Sequence, residues 1–157
     1  MKIAGINKLT VFFAIGFSMA TLLSAAYCSE GPDDKEGLVN YIKTVSPIMT
    51  DADMTIKNIG FNIVSIDEGA RRMADYINRM SLMNYPEILS GQYKMTLLAF
   101  KKIRMGLLLF SPERREMCVG LIKSGGKFLR YAAEDILDIV KKEGLLRKED
   151  KPEEKGE

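Results

Sequence analysis

From Leu38 to Met80 the apolar residues recur in an unbroken alternation of fours and threes: Leu38, Ile42, Val45, Met49, Ala52, Ile56, Ile59, Ile63, Ile66, Ala70, Met73, Ile77 and Met80. A strand turns a side chain to the same face every second residue, so only helix keeps this seam together. Between the seam positions stand Lys57, Asn58, Asp67, Glu68, Arg71, Arg72, Asp75, Asn78 and Arg79, which suit a solvated face. If continuous, the seam is about 65 Å long. Pro47 interrupts it, and a proline inside a helix costs about 3 kcal/mol. Either one long helix bends there with Pro47 outward, or a short helix ends near Val45 and a second starts at an N-cap Thr50, with Asp53 at the capping-box position. The unbroken phase favours the bend.

The pattern stops around Asn84-Tyr85-Pro86-Glu87, where Pro86 and Glu87 suit the first turn of a new helix. That helix carries Leu89, Tyr93, Leu97, Phe100, Ile103, Leu107 and Phe110. Ser111-Pro112-Glu113 reads as another helix start. The last helix runs from Met117 through Ile122, Leu129 and Ile136 to Val140 and ends at Gly144. Short connections force consecutive helices antiparallel. The expected fold is all-α: an antiparallel up-down bundle of three long helices plus a short N-terminal helical segment, over residues 37–146. Residues 27–36 read as a flexible lead-in, and the charged tail 147–157, without an apolar residue, as disordered.

Residues 1–26 read as a cleavable export signal. Lys2 and Lys8 precede an uncharged run from Leu9 to Leu23, and Ser24-Ala25-Ala26 supplies small residues for cleavage. The run is shorter than the roughly 20 residues of a spanning helix. Ala25 and Tyr27 fit a lipobox at Cys28 poorly. The expectation is an exported protein, periplasmic or secreted. In an oxidising compartment Cys28 and Cys118 could pair if both are retained, although the apolar neighbours of Cys118 point to simple burial.

The chain has no histidine. That excludes Ser-His-Asp and Cys-His catalysis, His-ligated haem or zinc, and a histidine pH switch. Lys123-Ser124-Gly125-Gly126-Lys127 lacks the spacing and the preceding strand of a phosphate loop. Two adjacent glycines inside a helix instead suggest a kink or a close helix crossing. Asp51-Ala52-Asp53 opens like a calcium loop, but Ile56 and Asn62 stand where glycine and glutamate are needed. Met80 and Met83 could both reach one soft ion, yet methionine is an ordinary core filler. No catalytic residue, cofactor or metal site is therefore expected.

Charge is uneven. Residues 27–93 hold 6 basic and 10 acidic residues, residues 94–130 hold 9 and 2, and residues 131–157 hold 6 and 9. Complementary packing of acidic and basic helices would explain this, and so would a basic surface for an anionic partner. The apolar stretch Leu107, Leu108, Leu109 and Phe110 is flanked by Lys101, Lys102 and Arg104 before it and by Arg114 and Arg115 after it. If Gly106 ends the helix, this stretch is a protruding loop ringed by cations, suited to a partner or to an anionic membrane surface. The functional expectation is a non-enzymatic protein that binds a protein partner, itself as a homodimer, or the envelope surface. Nucleic acid is a poor partner, since no aromatic-basic platform appears. The alternative is a small-ligand carrier or sensor with a pocket near Gly120, Gly125 and Gly126, lined by Phe128, Tyr131 and Met residues.

Overall fold

The computed structural model describes residues 33–145. The leader, Cys28 and the charged tail lie outside the described residues. Four helices follow one another: α1 (Asp33–Gly60), α2 (Ile66–Ser81), α3 (Ser90–Leu108) and α4 (Arg115–Lys142), with a single 3-10 turn, Glu87–Leu89, leading into α3. There is no strand among the described residues, and the helices pack on one another as an all-α bundle. α1 begins at Asp33, within the segment expected to be a flexible lead-in.

α1 runs without a break through Pro47, whose ring sits on the exposed side while Val45, Ser46, Ile48 and Met49 are buried around it. Thr50 therefore caps nothing, and Asp53 lies inside the helix. The break comes instead at residues 61–65, in the middle of the seam. There the amide of Ile63 donates to the Asn58 carbonyl at 2.8 Å and that of Asn62 to the Ile59 carbonyl at 3.1 Å, which is the Schellman arrangement. Asn62 supplies the left-handed residue this stop requires, with φ of 58°. Three residues on, the Ser65 hydroxyl accepts the Glu68 amide at 3.1 Å and starts α2, with Asp67 and Glu68 at the positive end of the helix dipole. The 65 Å rod is thus folded in two, and Ile63, placed on the seam by its spacing, is 71% exposed.

Consecutive helices are antiparallel. Thr55 and Tyr76 join α1 to α2, and the Tyr76 and Phe100 rings meet at 5.8 Å between α2 and α3. α3 and α4 make the closest pair in the bundle. A Cβ on Gly106 would lie 2.8 Å from the Cys118 carbonyl oxygen, and one on Gly125 would lie 2.8 Å from that of Ala99. The glycines therefore serve a close crossing. Gly106 is mid-helix and buried, so α3 does not end there; it continues to Leu108. The core runs the length of the bundle through Leu38, Ile48, Met73, Met80, Leu89, Phe100, Ile103 and Ile136.

The last helix starts at Arg115, three residues beyond the expected proline. Ser111 still acts just ahead of it: its hydroxyl accepts the Arg114 amide at 3.3 Å, and the Glu113 carboxyl is held below its ordinary range by that residue's own backbone amide and, to a lesser degree, by the Ser111 hydroxyl. At the other end, Gly144 adopts φ of 68° and closes a second Schellman stop with Leu145.

Candidate binding surface

The cation-ringed loop inferred at residues 101–115 is reorganised by the continuation of α3. Leu107 is buried against α2, where its side chain borders Gly69, so it belongs to the core and not to a surface. Phe110 is half-buried, whereas Leu108 and Leu109 are exposed at the end of the bundle. Arg104, Arg114 and Arg115 are exposed beside them, interspersed with Glu113 and Glu116. Lys101 is exposed. Lys102 turns toward α4, where its Nζ donates to the Ser124 hydroxyl at 3.2 Å and lies 4.8 Å from the centre of the Phe128 ring.

This contact marks a broader surface. On α3, Leu98, Lys101, Lys102, Met105 and Leu109 recur at three- and four-residue intervals and form one stripe. On α4, Met117, Leu121, Ser124, Phe128 and Tyr131 do the same. Lys102 links the two stripes side by side, so they share one outer face, turned away from α1 and α2. Leu98, Met105, Met117 and Tyr131 each leave between 45% and 51% of their surface in water. Within the α4 stripe, Leu121 and Phe128 are half-buried on the side toward α3, Leu121 beside Gly106 and Phe128 beside Lys102. α3 carries Lys94, Lys101, Lys102 and Arg104 and no acid. The result is a patch of large apolar side chains among lysines, with Glu116 near one end and Asp135 near the other. Its sequence signal was present in part: Leu98 and Met105 are among the apolar residues of α3 left over once the core seam is assigned, together with Met95, Ala99 and Leu108.

The polar groups inside the bundle serve the fold. The Tyr76 hydroxyl donates to Asp51 Oδ2 at 2.7 Å and lies 3.1 Å from Thr55 Oγ1. Burial pushes its pKa up to about 12, so it is a weaker acid than a free tyrosine. Asp53 is buried with one carboxylate oxygen 2.7 Å from Lys57 Nζ and the other unpartnered, and burial raises its pKa. The Tyr41 hydroxyl is also buried without a partner. Met80 is sealed in the core while Met83 is only half-buried beyond the end of α2, so the two do not present a shared thioether site at the surface. Cys118 is fully buried. The expected ligand pocket beside Gly125 is occupied by Ile103 and the Ala99 carbonyl, and Gly120 faces open space. Among the described residues no helix is long and apolar enough to cross a membrane. No protein family, curated protein or solved structure matches the chain.

Proposed function

We propose that this protein is an exported, non-enzymatic binding protein that works through the outer face of α3 and α4. The observation that carries the reading is the grouping of Leu98, Met105, Met117 and Tyr131, half in water, on two adjacent helices. Soluble monomers rarely gather large apolar side chains into one patch unless something covers it. The lysines around the patch direct that partner to be anionic. Export rests on the leader pattern in residues 1–26. The small-ligand reading is the weaker one, because the space beside Gly125 is taken by Ile103 and the Ala99 carbonyl of the neighbouring helix.

Two measurements test this. Fractionation of expressing cells, with N-terminal sequencing of the recovered protein, should find a chain that begins after Ala26 outside the cytosol. Light scattering and binding assays on wild type and on a Leu98→Asp/Met105→Asp variant should show that self-association or partner binding is lost while the helical signal is unchanged. A variant that retains every interaction of the wild type would end the proposal.

A further inference from the structure

The proposed surface also constrains the kind of partner. A two-fold dimer through this face would set its centre, Lys101 and Lys102, against the same residues of a second copy, with no acid on α3 to pair them. A single acidic helix would need a groove. The valley between α3 and α4 is filled instead: Leu121 and Phe128 occupy it, and Lys102 crosses it to reach Ser124. A filled valley between two closely packed helices makes a shallow face, about 20 Å long from Met117 to Tyr131. Its apolar residues are flanked by Lys94, Lys101 and Lys127, all exposed. Lysine stems can lie along apolar surface while the ammonium groups reach for headgroups.

We propose that the α3–α4 face lies flat on an anionic bilayer, its Leu98, Met105, Met117 and Tyr131 side chains entering the headgroup boundary and its lysines engaging lipid phosphates. This proposal rests on the reading of that face as the working surface. The attraction combines partial apolar burial with a contribution from each nearby lysine.

The test is cosedimentation of the purified protein, its N-terminus established by sequencing, with vesicles of phosphatidylcholine alone and of phosphatidylcholine with about one part in three phosphatidylglycerol. Binding is expected to the anionic vesicles only and should weaken as salt is raised. Lys101→Gln should weaken it about fivefold, the equivalent of one lysine near the surface. Leu98→Asp/Met105→Asp should weaken it at least about tenfold. Arg79→Gln, an equal loss of charge on α2, should leave binding within about twofold. Helical signal and melting temperature of each variant establish that it is folded. Absence of binding to anionic vesicles, or binding that ignores the α3 substitutions, overturns the membrane proposal. If vesicles are ignored but the aspartate pair abolishes a dimer or a complex with an acidic protein, the face remains a docking surface and only the bilayer is wrong. If the aspartate pair changes nothing in any assay, both readings fall.

Discussion

Gly125→Ala and Gly120→Ala place the same methyl group on the same helix and should have opposite effects. Both positions lie inside α4, where alanine is favoured over glycine by up to about 1 kcal/mol. At Gly120 the new Cβ meets nothing within 4 Å, so the full gain should be kept. At Gly125 it would lie 2.6 Å from Ile103 Cγ1 and 2.8 Å from the Ala99 carbonyl oxygen. Ile103 has another rotamer available at some cost, but the carbonyl is main chain in the middle of α3 and moves only if the helices separate. Overpacking of this kind costs about 1–3 kcal/mol. Set against the propensity gain, Gly125→Ala should destabilise by about 1–2 kcal/mol. For a domain of this size that lowers the melting temperature by about 4–8 °C, while Gly120→Ala raises it by up to about 4 °C. Gly106→Ala, facing the Cys118 carbonyl at 2.8 Å, should behave like Gly125→Ala. Thermal melts followed by circular dichroism decide the matter. If Gly125→Ala stabilises as much as Gly120→Ala, the two helices are not in contact there, and the shape of the outer face derived from that contact is wrong as well.

Tyr76→Phe removes the hydroxyl that ties α2 to Asp51 and Thr55 on α1. It should cost about 1–3 kcal/mol in urea denaturation, because Thr55 is left buried with one partner fewer; an unchanged midpoint would show that the clasp contributes nothing. Asp53→Asn tests burial of charge. Burial raises the Asp53 pKa above its ordinary 3.8 despite Lys57, so the folded state favours the protonated form. Its contribution to stability is therefore fullest below that ordinary value and is lost as pH rises through the raised one. Asparagine imitates the neutral carboxyl, so the variant should melt higher than wild type near neutral pH and equally at low pH; a lower melting temperature at neutral pH would show that the Lys57 pair outweighs desolvation. Glu68 behaves in the opposite sense. Hydrogen bonds from Arg71 and Arg72 hold its pKa at about 2, so that Glu68→Gln should weaken α2 at neutral pH, and the difference from wild type should shrink as acid is added below about pH 4.5.

The seam from Leu38 to Met80 was legible as helix because apolar spacing alone defines it, and nine of its residues, from Leu38 and Val45 to Met73 and Met80, are buried as the spacing implies. The turn at residues 61–65 was hidden by that regularity. A five-residue link happens to preserve the heptad phase, so α1 and α2 each present the expected face although the chain reverses between them. The local chemistry was nonetheless written in Asn62, suited to the left-handed stop, and in Ser65 with Glu68 three residues later. Tyr41, Ile48, Thr55 and Tyr76 were missed as core because α1 and α2 bury more than the two seam positions of each heptad. The cationic tip failed in a different way. Glycine at 106 looked like a helix end, but its meaning depends on the Cys118 carbonyl of the helix packed against it, which local sequence around Gly106 does not reveal.

The same close crossing links the fold to the working surface. Between α3 and α4 the closest approaches are at Gly106, which faces the Cys118 carbonyl, and at Gly125, which faces that of Ala99, with Ile122 and Ile103 packed against the two glycines. The glycines let the backbones approach, and Ile103 and Ile122 already fill the space beside them, which leaves little interior room for further large side chains. Leu98 and Met105 on one helix, and Leu121 and Phe128 on the other, are therefore held at the outer margin of the seam, where they cover it without being enclosed. An ordinary pair with leucines at the crossing would stand farther apart and draw such side chains inward. On this argument the exposed apolar patch is a consequence of the glycines. Widening the crossing with Gly125→Ala should therefore disturb the outer face as well as stability, and any partner of that face should bind the variant less well even at temperatures where it remains folded.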